Sequence, residues 1–98
     1  MQFEFDEKKS LRNKQKHGID FDQIQTLWKS PFVELASKYA DEPRRLVIGT
    51  VADIVWTVIV THRDENIRII SARRARDDEK EVYQELRKDH SGQSGRAV

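Results

Sequence analysis

The sequence contains no cysteine and no long apolar run. The absence of cysteine excludes disulfide bonds and metal sites built from thiolates. No apolar stretch approaches the ~20 residues that a membrane-spanning helix requires. The first five residues are followed at once by charged residues, which is not the pattern of a signal peptide. These absences predict a cytoplasmic protein that does not associate with membranes.

The charges are unevenly distributed along a nearly neutral chain of 98 residues, whose net charge is +1. Residues 6–17 contain five basic and two acidic residues, and residues 63–76 contain the same numbers. Residues 20–42 contain two basic and five acidic residues. A basic face on a nearly neutral protein indicates a localised site for an anionic partner. The length predicts one domain, which we place at residues 1–90, followed by a flexible Ser- and Gly-rich tail over residues 91–98.

Local signals predict a short strand and a surface helix at the N-terminus. Phe3 and Phe5 alternate with polar residues, as in a strand at a sheet edge. Asp6 is a good N-cap and Gly18 a good C-terminal stop, so a helix is expected between them. Leu11 is the one strong apolar anchor of this helix.

A second helix is predicted directly after the first. Asp20 and Gln23 have the spacing of a capping box, and Ser30-Pro31 is a helix end.

The second half of the chain reads as four strands and a helix. The strand-like runs occupy residues 32–37, 45–51, 54–61 and 67–74, and connections this short favour antiparallel hairpins. Asp77 or Asp78 can cap a last helix that extends to about Lys88. The expected class is α+β, with an antiparallel sheet, two N-terminal helices and one C-terminal helix.

The last strand ends in a group of arginines. Arg68, Arg73, Arg74 and Arg76 are fixed charges, and a guanidinium matches the oxygens of a phosphate. With regular alternation Arg68 and Arg74 share one face of the strand, and Arg73 lies on the other. These side chains are candidates for phosphate binding, most simply in nucleic acid. The structural alternative is a set of ion pairs with nearby carboxylates, for instance those of Glu79, Glu81 or Glu85.

Other polar residues have two readings each. His17 either caps the end of the first helix or transfers a proton. Lys14 and Lys16 are either surface charges or contacts to a phosphate backbone. Glu79 and Tyr83 lie one helical turn apart, so they either transfer protons beside the arginines or fasten the helix to the sheet. No metal site and no cofactor are predicted, since the sequence lacks metal-ligand spacings, a P-loop and a dinucleotide fingerprint.

Two blocks of the sequence resemble the BrnT-type toxins. Residues 3–6, Asn13 and the run Lys16-His17-Gly18-Ile19 with Phe21 are similar to the opening of that family. Residues 68–75, followed by Glu79 and Tyr83, are similar to its closing signature. The resemblance spans roughly residues 2–88 in order and spacing.

The resemblance implies a bacterial type II toxin with a RelE-like fold that cleaves RNA and arrests translation. It also implies a BrnA-like antitoxin with a ribbon-helix-helix domain, through which the toxin–antitoxin complex binds operator DNA.

Metal-independent cleavage of RNA requires a base for the ribose 2′-OH, cations for the developing charge and an acid for the leaving oxygen. We assign charge stabilisation to Arg68 and Arg73 and proton transfer to His17, with Glu79 and Tyr83 as the next choices. Further RNA contacts are expected from Arg74, Arg76, Lys16 and Lys14. The competing hypothesis is a non-catalytic basic module that binds RNA or a protein.

Overall fold

The computed structural model describes residues 2–37 and 43–96, with side chains described as far as residue 87. The elements in chain order are β1 (Phe3–Glu4), α1 (Glu7–His17), a 3₁₀ helix (Gln23–Lys29), β2 (Phe32–Ala36), β3 (Arg45–Val51), β4 (Ile54–Arg63), β5 (Asn66–Arg74) and α2 (Asp77–Arg96). The α+β class is therefore confirmed.

The capping signals at both ends of α1 form as predicted. The carboxylate of Asp6 accepts hydrogen bonds from the backbone N–H groups of Lys8 and Lys9, at 2.8 and 3.2 Å. Gly18 ends the helix with a φ of 85°, which glycine adopts without a steric penalty. The assignment of Leu11 as anchor is wrong, because its side chain is 66% exposed. Ser10 and Asn13 are the buried residues of α1, so polar side chains fix this helix to the sheet.

The predicted capping box also forms, although the helix that follows it is short. The side chain of Asp20 accepts from the Gln23 N–H at 2.7 Å, and the Gln23 side chain accepts from the Asp20 N–H at 3.0 Å. The following turns are 3₁₀ rather than α-helical and end at Lys29. Ile24 and Leu27 of this helix are fully buried against the sheet.

The five strands form one mixed sheet in the order β1-β5-β4-β3-β2. The three pairings among β2, β3, β4 and β5 are antiparallel, as the short connections required. The expectation of a fully antiparallel sheet is wrong, because β1 pairs parallel to β5. These two strands are far apart in the sequence, so the rule for short connections does not constrain their direction.

The helices cover the two faces of the sheet unequally. The face that carries α1 and the 3₁₀ helix, called here the first face, holds the main core, with Phe21, Ile24 and Leu27 packed on Val58 and Ile69. The opposite, second face is covered by α2 over β2 and β3, where Tyr83 packs with Ile48, Val33 and Leu35.

The last helix is longer than expected. It extends to Arg96 instead of ending near Lys88, so its final residues fall within the predicted tail. Residues 97 and 98 of that tail lie outside the described part of the chain.

Asn13 completes the hydrogen bonding of β5 where β1 no longer pairs with it. β1 pairs only with Ile67 and Arg68. Farther along β5, the Asn13 amide donates to the carbonyl of Ala72 at 2.9 Å and accepts from its N–H at 3.2 Å, as a neighbouring strand would. The same amide donates to the carbonyl of Ile19 at 2.8 Å, which ties the end of α1 to the sheet.

Replacing Asn13 by alanine is expected to lower the free energy of unfolding by about 2 kcal/mol, because the buried Ala72 N–H and two carbonyls lose their partner. Urea denaturation measures this, with Gln15→Ala on the exposed side of α1 as the control. Equal midpoints for the two variants would show that water replaces the amide at no cost.

Candidate active site

A β-bulge in β5 brings Arg68 and Arg73 to the same face of the sheet. Ile69 is opposite Val60 and Ser71 is opposite Ile59, so Ile70 is an extra residue in β5. On either side of this bulge, Arg68 pairs with Thr61 and Arg73 with Thr57, and all four side chains lie on the second face. The expectation that Arg73 lies opposite Arg68 is therefore wrong.

Arg74 projects from the other side of the sheet. It pairs with Trp56, whose ring belongs to the core of the first face, and its guanidinium carbon lies 5.9 Å from the centroid of that ring. The predicted pairing of Arg74 with Arg68 on one face is wrong for the same reason, because the extra residue Ile70 reverses the alternation.

Arg73 is held by the carboxylate of Glu79 at the start of α2. Its Nη1 and Nη2 atoms donate to the two carboxylate oxygens at 2.7 and 2.8 Å. The same carboxylate accepts from the Thr57 hydroxyl at 2.9 Å and from the Arg76 backbone N–H at 2.8 Å. The bidentate bond from Arg73, aided by these two donors, lowers the pKa of Glu79 to about 2. Glu79 raises the pKa of Arg73 in turn, so both groups are ionised throughout the physiological range.

Part of the Arg73 guanidinium is available for a ligand. A guanidinium has five N–H groups, of which two bind Glu79 and a third donates to the Arg74 carbonyl at 3.4 Å. The Nε–H and the second hydrogen of Nη2 have no acceptor among the described residues. Glu79 therefore fixes the orientation of a fork whose remaining donors can bind an anion.

A cleft of about 500 Å³ lies beside Arg73 on the second face. Leu46 and Ile59 of the sheet form its apolar floor, and Arg76, Asp78 and Val82 contribute from the α2 side. Three predicted site residues, Arg73, Arg76 and Glu79, thus meet at one opening. The carboxylate of Asp78 accepts from the Glu79 N–H at 3.0 Å, and its negative charge also contributes to raising the pKa of Arg73.

Arg68 lies on the same face but apart from the cleft. Its partner Thr61 lies four positions along β4 from Thr57, the partner of Arg73. This corresponds to about 13 Å at the rise of a β-strand. The nearest carboxylate to Arg68 is that of Glu4, at 3.8 Å, and the Arg68 side chain is one-third exposed. The Arg68 side chain is thus turned towards β1 and that of Arg73 towards α2, so the two guanidinium groups are not directed at one common point.

Tyr83 is buried beneath the second face. Its hydroxyl donates to the Pro31 carbonyl at 3.3 Å, and the guanidinium of Arg87 lies over its ring. Its side chain is packed with Ile48 and Ala75 in the smaller core cluster. This position fastens α2 to the sheet.

His17 lies beside a second cleft, on the first face. This cleft has a volume of about 450 Å³ and is also lined by Arg74, Gln23 and Trp56. Lys14 donates to the Gln23 side chain at 2.9 Å, so it lies next to this cleft, while Lys16 is exposed on α1. The structure thus brings His17 together with Arg74 and separates both from Arg73 and Glu79.

A protein-family model described as the ribonuclease toxin BrnT of type II toxin–antitoxin systems matches residues 5–79, which is 75 of the 98 residues. The chain belongs to this family. The resemblance found in the sequence is confirmed, and membership implies an RNA target and an antitoxin partner. A search of curated proteins found no match.

The match covers the residues that line the Arg73 cleft, except Val82. Arg68, Arg73 and Glu79 fall within the matched residues, whereas Tyr83 follows them. In the described ranges, no group of three or more His, Asp or Glu residues has the arrangement of a metal site. No helix in those ranges is long and apolar enough to span a membrane.

The sequence of this BrnT-family chain does not predict the roles of three residues with polar groups, namely Thr57, Asp78 and Trp56. Thr57 is fully buried and binds Glu79, but it sits in an apolar strand run where a threonine reads as an ordinary β-former. Asp78 is predicted only as a helix cap. Trp56 lies in the same apolar run as Thr57 and reads most simply as a core residue, yet its indole N–H is buried without an acceptor in the described part of the chain. Only Asp78 carries a signal that a sequence can show, namely a second acidic residue at a helix start beside arginines.

Proposed function

We propose that this BrnT-family protein is an endoribonuclease that cleaves RNA without a bound metal and inhibits translation in the cytoplasm. A BrnA-like ribbon-helix-helix antitoxin neutralises it, and the complex binds operator DNA through the antitoxin. The proposal also takes the sheet to be a variant of the RelE-like fold. Family membership supports the ribonuclease class, and the geometry around Arg73 supports the chemistry.

The observation that carries the proposal is the pre-oriented guanidinium of Arg73 beside an open cleft. Charge that develops on a phosphate during cleavage is best stabilised by donors that are already in place. The bidentate contact with Glu79, at 2.7 and 2.8 Å, supplies this preorganisation and leaves two N–H groups without an acceptor among the described residues. The exposed Arg76 adds a second positive charge at the same opening.

The remaining site residues have distinct roles in this mechanism. Arg68 does not line the cleft and its guanidinium lies beside Glu4, so we assign it to a flanking phosphate. Asp78 is the carboxylate of the cleft that is not held in a bidentate ion pair, and we assign it removal of the 2′-OH proton. The leaving 5′ oxygen takes its proton from solvent.

Glu79 and Tyr83 act as positioning residues in this scheme. A carboxyl group with a pKa of about 2 is a weak base at neutral pH, and its oxygens are already engaged by Arg73 and Thr57. The hydroxyl of Tyr83 donates to the Pro31 carbonyl within the fold. His17 lies on the opposite face, so we assign it to RNA binding with Arg74, Lys14 and Lys16, and not to the cleavage step.

Cleavage of RNA in the presence of EDTA tests the proposal. We expect the purified protein to convert a single-stranded RNA into fragments that end in a 2′,3′-cyclic or 3′-phosphate, because the 2′-OH is the nucleophile. An RNA with 2′-O-methyl groups should remain intact under the same conditions.

Two results would contradict this function. Intact RNA despite measurable binding would favour the non-catalytic module, and cleavage that disappears on chelation and returns with a divalent cation would overturn metal independence. An Asp78→Asn protein, which keeps the hydrogen-bonding shape of the side chain, should bind RNA normally and cleave it slowly.

A further inference from the structure

The cleft on the first face has the features of a binding site and takes no part in the cleavage step described above. His17 at the end of α1 and Arg74 at the end of β5 supply groups that can donate hydrogen bonds to an anion, and the arginine is always charged. Apolar side chains of Val51, Ile54 and Trp56 line the same cleft. It therefore combines anion-binding groups with an apolar wall.

A buried donor without a partner points to a ligand at this position. Trp56 is only 5% exposed, and its indole N–H has no acceptor among the residues that the structure describes. Leaving a buried donor unsatisfied costs about 1–3 kcal/mol, so such groups require a specific reason. The guanidinium of Arg74 lies over the same ring, 5.9 Å from its centroid. Trp56 and Arg74 both line the cleft, so an anion bound there lies beside the guanidinium and the indole ring together.

We propose that this cleft, bounded by His17, Arg74 and Trp56, binds one nucleotide of the RNA outside the position of cleavage. Arg74 and His17 bind its phosphate, the Trp56 indole donates to a phosphate oxygen, and the apolar wall contacts the ribose or base. This inference rests on the proposed action on RNA and adds a subsite to it.

The end of β5 explains how one RNA strand reaches both clefts. Arg73 and Arg74 are neighbours in the chain, and their side chains leave the strand on opposite faces. A single strand that passes around this end contacts Arg73 on one side and Arg74 on the other. Lys14, next to the first-face cleft, extends the positive charge along the same path. An RNA backbone, with one charge on every nucleotide, matches such a line of cations.

The indole N–H signal of Trp56 in a ¹H–¹⁵N spectrum tests the subsite. The chain has two tryptophans, so a Trp56→Phe protein assigns the signals. A 2′-O-methyl RNA oligonucleotide is the probe, because it binds without being cleaved. We expect this RNA to shift the Trp56 signal of the wild-type protein. In the Arg74→Gln protein the shift should be absent. This variant should also bind RNA about tenfold more weakly, because it lacks one charge-assisted hydrogen bond. The control Lys80→Gln removes an exposed charge on α2 and should leave both unchanged.

The outcomes separate this subsite from the cleavage reaction. An Arg73→Lys protein that no longer cleaves RNA should still show the Trp56 shift. If wild-type protein shows the shift but never cleaves RNA, the subsite holds and the proposed ribonuclease activity fails. A Trp56 signal that does not respond to RNA overturns the subsite. If that signal instead responds to a glutamate-rich peptide and not to RNA, the cleft binds a protein carboxylate.

Discussion

Replacing Arg73 by alanine is expected to lower the rate of RNA cleavage by about 10²–10³-fold, the usual effect of removing one donor that stabilises transition-state charge. Arg73→Lys should lose nearly as much, although it keeps the positive charge. An ammonium group lacks the planar fork that binds Glu79 and presents further N–H groups to a phosphate at the same time. Single-turnover cleavage of a labelled RNA measures the rate, and growth arrest at matched expression gives the cellular result.

Folding must be separated from chemistry in this experiment. Arg73→Ala leaves the carboxylate of Glu79 without its main partner, so the alanine protein is compared by circular dichroism and urea denaturation before activity is measured. The control Arg12→Ala removes an exposed arginine from α1 and should cleave RNA at the wild-type rate. If folded Arg73→Lys protein retains full activity, the cleavage site is not at this cleft.

Acidification is expected to remove a large contribution of Glu79 to stability. Its pKa is about 2 in the folded protein, against an ordinary value of 4.5, so the folded state binds this proton less readily than the unfolded chain does. The contribution is therefore complete above pH 4.5 and is lost as the pH falls towards 2. The shift corresponds to about 3 kcal/mol in full, of which about 2 kcal/mol should be gone at pH 3.

The comparison of wild type with Glu79→Gln isolates this effect from that of other carboxylates. At pH 7 the glutamine protein should be less stable by about 2–3 kcal/mol, because the charge of Arg73 loses its counter-ion in a half-buried position. The difference between the two proteins should shrink as the pH is lowered from 6 to 3. Asp77→Asn, at an exposed position of the same helix start, serves as the control. A difference that stays constant over this range would show that Glu79 is not held ionised by Arg73.

Elements whose signals are local were predictable from the sequence. Asp6 and Gly18 bound α1 as expected, and Asp20 with Gln23 forms the capping box. Each of these depends on hydrogen bonds within a few residues, which spacing alone reveals. The parallel pairing of β1 with β5 depends on contacts between distant parts of the chain, and no local signal specifies it.

The candidate site shows the same division. The arginines of β5 and the pairing of Glu79 with one of them follow from residue type and proximity to the strand end. The sequence does not reveal which arginines share a face. The extra residue Ile70 is an ordinary isoleucine, and nothing in its identity marks a bulge. Regular alternation therefore assigned Arg73 to the wrong side, and His17 was joined to arginines that lie across the sheet from it.

The pairing of β1 with β5 also limits when the sheet can be completed during synthesis. Phe3 and Glu4 are synthesised more than 60 residues before their partners Ile67 and Arg68. Glu79, which orients Arg73, follows later still. Because chains grow at about 5–20 residues per second, β1 waits several seconds for its partner strand. The complete sheet and the oriented guanidinium of Arg73 can therefore form only after Glu79 has been synthesised.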